Sequence, residues 1–315
     1  MRSIPHPRIA LPIAIVAAGL LAVPASAAAQ SPPTAGGCPV FPADSHWNQR
    51  IDALPVARKS RRVIRHIGTG YRLHPDFGSG TWEGGRIGIP YDVVPHSQPL
   101  VKMVFQDRRY SDRGPYPIPA DAPVEDRPDR HVVVVQSGTC RLYELFEGYR
   151  REDGRGWNAT SGASWDLRST KLRPDGWTSA DAAGLPIFPG LVRFEEVRQG
   201  QINHALRIAV PRTRKAWVYP ARHAQGQNTH PHLPAMGQRL RLKRKIKAWR
   251  YPPQARVVIE ALQRYGVMVA DAGAAWHLTG APDEGWDMDQ VFTLTRLKAK
   301  DFEVVDTRSL PKPGR

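Results

Sequence analysis

Cysteine is almost missing from this 315-residue chain: Cys38 and Cys140 are the only two. Neither lies in a CxxC pair or a nucleophile motif, and two cysteines cannot build a cysteine-rich zinc spacing, so a redox-active dithiol and a zinc-ribbon fold are excluded. No HExxH sequence is present and no G-x-S-x-G, the string TSGAS at 160–164 lacking the elbow spacing. The usual signatures of zinc peptidases and of Ser–His–Asp hydrolases are therefore missing. Internal repeats, sustained heptads and nucleic-acid-binding motifs are also missing. Beyond residue 29 no run is long and apolar enough to cross a bilayer, so no membrane insertion is expected. Acidic residues are the scarcer charge, 29 against 45 Lys and Arg, for a formal net charge of +16. Such a field attracts polyanions. With no nucleic-acid motif, the expected partner is a polysaccharide or an anionic cell-surface polymer.

What is present begins with an address. Arg2 and Arg8 precede an apolar run over 9–23, followed by small residues at Ala25, Ala27 and Ala29, the order of a cleavable secretory signal. A membrane anchor is the alternative, but the run is about 15 residues long and contains Pro12, short of the roughly 20 that a spanning helix needs. The expected organisation is a signal peptide over 1–29, a Ser/Pro/Gly/Ala leader over 30–37 and one globular domain over 38–315. In oxidising surroundings the two cysteines are expected to pair as one disulfide, two free thiols or a nucleophilic cysteine being the alternative.

Gly and Pro crowd residues 68–128 between short apolar runs, which reads as short strands and irregular loops. HVVVVQ at 131–136, then SGTC, then RLYELFEGYR at 141–150 read as a β-hairpin; because 132–135 are all apolar, both faces of that strand should be covered. Further strands are expected over 202–210, 215–221, 238–246, 274–280 and 301–307. Helices are expected over 57–67 and over 252–266, where Pro252 and Pro253 open the run and Gly266 closes it. A shorter one is placed at Thr178 or Ser179. The predicted fold is mainly β: a two-layer β-sandwich of jelly-roll type with a few decorating helices, an α+β arrangement being the alternative.

Several phrases occur together along the chain: LHPDFGSGTWEGGRIGIP (73–90), YELFEGY (143–149), GWTSADAAGLPIFPGLVRFEEV (176–197), NHALR (203–207) and GAPDEGWD (280–287). In them the chain resembles, nearly end to end, an uncharacterised family of secreted bacterial proteins. The resemblance implies secretion and a single domain. It carries no activity and no catalytic residue.

Chemistry is therefore read from the residues. Glu144 shares a strand face with Leu142 and Phe146, a costly setting for a carboxylate unless it is paired or lines a cleft. Asp166, in SWDL, is the second carboxylate, and the two are the candidate acid and base of a glycoside hydrolase. The competing structural reading has Glu144 bound to an arginine or backbone amides and Asp166 capping a turn. His131, Tyr143, His204 and Arg207 are candidates for β-elimination from a uronic acid, in which a neutral His or Tyr takes the C5 proton and an Arg neutralises the carboxylate. Trp165 and His223 join Arg207 as candidate substrate contacts. His223, His230 and His232 lie in RHAQGQNTHPH, but His230 and His232 flank Pro231 in a loop; exposed histidines are expected there, with no metal and no other cofactor. The run RLRLKRKIK at 239–247 reads as a protected edge strand or solvated face, with a track for an anionic chain as the rival. The expected function is an extracellular polysaccharide-active enzyme, a glycoside hydrolase or a uronate-type lyase. A non-catalytic glycan- or cell-surface-binding module and a structural extracellular domain are the alternatives.

Overall fold

Short runs of valine, leucine and aromatics, broken by Gly and Pro, build strands here. The computed structural model of the protein describes Met1 and residues 31–314; the signal peptide expected over 1–29 lies outside the described residues, Met1 apart. The hairpin forms as expected, Val132–Gln136 pairing antiparallel with Arg141–Phe146 and placing Val132 opposite Leu145. Its valines alternate between two cores. Val133, Val135 and Leu142 enter the main core, whereas Val132, Val134, Tyr143 and Leu145 pack with Phe105, Tyr116 and Trp157 in a second one. An all-apolar strand persists because both faces are covered. Ser161–Asp166 and Asp92–Val94 flank the hairpin and complete a four-stranded sheet.

A six-stranded sheet runs in the order Phe302–Val304, Arg239–Leu242, Val267–Ala272, Leu206–Val210, His277–Thr279, His74–Asp76. Leu206, Ile208, Leu240, Val267 and Leu278 join Val133, Val135 and Leu142 in the main core. The two sheets thus share one core in a sandwich-like arrangement, and the fold is mainly β with few helices. Pairing is mixed: Leu206–Val210 runs parallel to Val267–Ala272, and His277–Thr279 parallel to His74–Asp76.

Helix Pro253–Arg264 opens at the prolines, buries Ala255, Val258, Ile259, Ala261 and Leu262, and gives way at Gly266. Gly266 has φ of 67°, and a Cβ there would lie 2.1 Å from the Leu240 carbonyl oxygen, so only glycine fits. Helix Ser60–Ile67 begins later than expected because the Ala57 amide donates to the Val304 carbonyl and the Val304 amide to Ser60 Oγ, tying these residues to the sheet edge. Cys38 and Cys140 form the expected disulfide, Cα atoms 5.3 Å apart across 102 residues of sequence. No helix among the described residues is long and apolar enough to cross a membrane.

Other expectations are corrected. Residues 215–221 make no strand, only a bridge from Trp217 to Met236. Thr178 and Ser179 start no helix; their hydroxyls donate to the Asp181 carbonyl. Thr34–Ala35 pairs with Cys38–Pro39, so part of the leader is built into the fold. The basic run divides. Arg239 donates to the carbonyls of Tyr265, His46 and Gln49, and Arg241 to Glu303 and the carbonyls of Ile51, Asp52 and Leu54. Both arginines are buried in a strand with neighbours on each side, so over 239–242 the run is an internal clasp, neither an edge nor a surface track.

Candidate functional site

Register on the six-stranded sheet decides which side chains meet. Ala209 pairs with His277, and His277 with His74, while Asp76 pairs with Thr279. Arg207, Ala209, His277, Thr279, His74 and Asp76 consequently share one face, and Leu206, Ile208, Val210 and Leu278 turn to the core. A β-bulge adds Asp271. The register shift between Ile208 and Ala209 brings Asp271, one residue later than regular pairing would, opposite Ala209, re-aiming its carboxylate to that face.

This face borders a cleft with two adjoining chambers of about 450 Å³ and 330 Å³, both lined by Asp129, His131, Arg207 and Asp271. The first chamber continues past Glu125 and Arg127 to His74, Asp76 and His277, with Trp82 and Phe292 at its mouth; these two aromatics are 59% and 52% exposed. The second reaches Phe146, Ser161, Asp181 and His223. Carboxylates outnumber arginines on the walls, an acidic cleft in a strongly basic chain.

Two fixed ion pairs shape it. Arg207 places Nη2 2.7 Å and Nε 3.2 Å from Asp181 Oδ2, and Nη1 3.0 Å from Thr279 Oγ1. Asp181 is fully buried, and its other oxygen accepts from the Ala183 amide. Burial pushes the Asp181 carboxyl up to about 6, while the Arg207 guanidinium holds it back. His131 sets Nδ1 2.5 Å from Glu125 Oε2 and Nε2 3.1 Å from the Ala180 carbonyl oxygen. Both ring nitrogens face acceptors, which suits the doubly protonated ring. Burial opposes that charge, but the Glu125 carboxylate outweighs it, so the His131 pKa rises and that of Glu125 falls despite its own burial.

Asp129 and Asp271 differ. The Asp129 carboxylate is solvent-accessible and has no hydrogen-bond partner among the described residues. Partial burial, helped by the charges of Glu125 and Asp271 and opposed by His131, raises its pKa. The Asp271 carboxylate accepts from the Ala272 amide at 2.7 Å. Two carboxylates of different environment therefore line one cleft. Farther along, Asp76 is raised by burial, and His277 is lowered to about 4 by burial and the His74 charge.

Of the residues singled out from sequence, His131, Arg207 and His223 meet at the cleft, His223 through Nδ1 facing the Ala182 carbonyl at 2.9 Å. The others do not. Glu144 is fully buried and accepts from the amides of Ile187 and Phe188, the start of the 3-10 helix Phe188–Gly190. Tyr143 faces the second core against Tyr116. His204 is buried between Glu196 Oε2 and the Ala205 carbonyl. Asp166 caps a turn by accepting from the Arg168 amide, and with Trp165 it borders a separate surface hollow. His230 is exposed, as expected, whereas His232 is only half-exposed.

The sequence reading missed Asp129, Asp271, Glu125, Asp181, His74, Asp76 and His277. One signal was available: His74 and Asp76 are spaced i, i+2 in LHPDF, which on a strand puts both on one face. The chain matches no family model, no curated protein and no solved structure.

Proposed function

We propose that the protein is a secreted glycan-active hydrolase whose catalytic carboxylates are Asp129 and Asp271. The carrying observation is the accessible, unpartnered Asp129 carboxylate beside Asp271 at the junction of the two chambers. Asp129, whose raised pKa favours the protonated form, delivers a proton to the departing glycosidic oxygen. Asp271 takes the proton of the water attacking the anomeric carbon or attacks that carbon itself. Arg207, held on one side by Asp181 and Thr279, keeps two N–H groups for sugar hydroxyls, and Trp82 and Phe292 offer ring faces at the mouth.

The acidic walls favour a neutral or amino-bearing glycan over a polyuronate. Elimination also needs an arginine free to neutralise a carboxylate and a neutral base. Arg207 is already paired, and both ring nitrogens of His131 are engaged by Glu125 and the Ala180 carbonyl, which weighs against the lyase version. The signal sequence and the disulfide support secretion, and the basic surface would retain the protein on anionic envelope polymers. The test is a panel of neutral, amino and acidic polysaccharides, reading reducing ends and unsaturated-uronate absorbance. Asp129→Asn and Asp271→Asn should each cut turnover by about 100-fold or more with melting unchanged. Uronate absorbance would restore the lyase reading; retention on a glycan without any product would instead favour a binding module.

A further inference from the structure

We infer that His74, Asp76 and His277 form a binding site for one borderline divalent metal ion, with Zn²⁺ as the type case. This goes beyond the glycan reading, because metal binding is measured with no glycan present. The three side chains come from two adjacent strands, His74–Asp76 and His277–Thr279, paired in parallel with His74 opposite His277. One ligand atom from each lies within 4.8 Å of the other two. The imidazoles stack with centroids 4.2 Å apart and planes 13° from parallel. None of the three side chains has a hydrogen-bond or ion-pair partner among the described residues. All three line the first chamber.

Two imidazoles and a carboxylate are the donor set of open three-ligand zinc sites, and this mixture suits Zn²⁺ better than the all-oxygen ions Mg²⁺ or Ca²⁺. Tetrahedral bonds of about 2.0–2.1 Å place ligand atoms roughly 3.3 Å apart, so closure from within 4.8 Å also requires the two stacked imidazoles to turn until each ring plane contains the ion. Three protein ligands leave a coordination position toward the chamber, where a water or a substrate oxygen would bind. A rival exists on the surface, where His66, His230 and His232 cluster with ring centroids 4.4, 5.4 and 5.7 Å apart.

The test uses the untagged, disulfide-bonded protein, stripped with chelator and titrated with Zn²⁺ by calorimetry and with Co²⁺ by visible absorption. The expected result is one ion per chain, with affinity reduced at least about tenfold by His74→Ala or His277→Ala, reduced less by Asp76→Asn, and unchanged in the double variant His230→Ala, His232→Ala. Circular dichroism of the metal-free proteins checks folding, and His74→Ala, at the exposed ligand, carries the test if His277→Ala does not fold. Absence of saturable binding, or binding removed by the His230 and His232 substitutions but not by His74→Ala, would overturn the inference.

Discussion

Glu144→Gln separates the structural role of this residue from a catalytic one through pH. Glu144 is fully buried, Oε1 accepting from the Ile187 and Phe188 amides, each at 2.9 Å, and Oε2 from Ile187 at 3.0 Å. Burial raises its pKa from 4.5 to about 7, the two amides holding it back. A carboxyl whose folded pKa exceeds its unfolded pKa weakens the fold as pH climbs from the lower value through the higher. Over this window, read from about pH 4 to about pH 8, the loss is roughly 3 kcal/mol at 1.36 kcal/mol per pKa unit. Glutamine keeps the acceptor and removes the ionisation, but leaves a buried amide group without acceptors, a cost of about 1 to 3 kcal/mol. The variant should therefore be less stable than the parent at low pH and equal or more stable at high pH. Urea unfolding of both proteins across that range reads the difference, in which titrations of other groups largely cancel. A stability difference independent of pH, or one that grows against the variant as pH rises, would refute the reasoning. Turnover, where measured, should follow the folded fraction alone.

Reduction of Cys38–Cys140, or Cys38→Ser, should cost about 4 to 5 kcal/mol from loop entropy across 102 residues, seen as a lower melting temperature; an unchanged melt would mean the reduced chain stays pinned without the bond. Asp181→Asn strands the buried Arg207 charge and should cost about 3 to 5 kcal/mol in denaturant titration, and a negligible loss would show that Arg207 finds another anion. The His131–Glu125 pair stabilises between the two unfolded pKa values. The histidine contribution is full below about 6.5 and lost as pH rises through its raised pKa, and the glutamate contribution is lost as pH falls below about 4.5 through its depressed one. Glu125→Gln should accordingly lower the His131 pKa in an NMR titration, and an unmoved value would break the assignment.

Local pattern determined a good deal of this molecule. The all-apolar run 132–135 and the turn after it specify the hairpin, the prolines and Gly266 bracket the helix Pro253–Arg264, and two cysteines in a secretory context leave one pairing. Each signal acts within a few residues, through backbone preference or alternation. The cleft has no such signal. Alternation says that His74 and Asp76 share a face, but not that the face adjoins His277, about two hundred residues away; only strand pairing decides that. Asp271 reaches the cleft through a bulge on Val267–Ala272, a strand that follows Gly266 directly and that local pattern does not separate from the helix before it. Alternation alone makes Glu144 too costly to bury unpartnered, but whether its partner is substrate or backbone depends on where residues 187–188 come to lie. Arg239 and Arg241 read as surface charge by composition and became an internal clasp because backbone carbonyls from residues 46–54 converge on them. Composition and periodicity thus determined which segments form strands and helices. The tertiary structure decided which carboxylates and histidines face one another, because that depends on the register between strands distant in sequence.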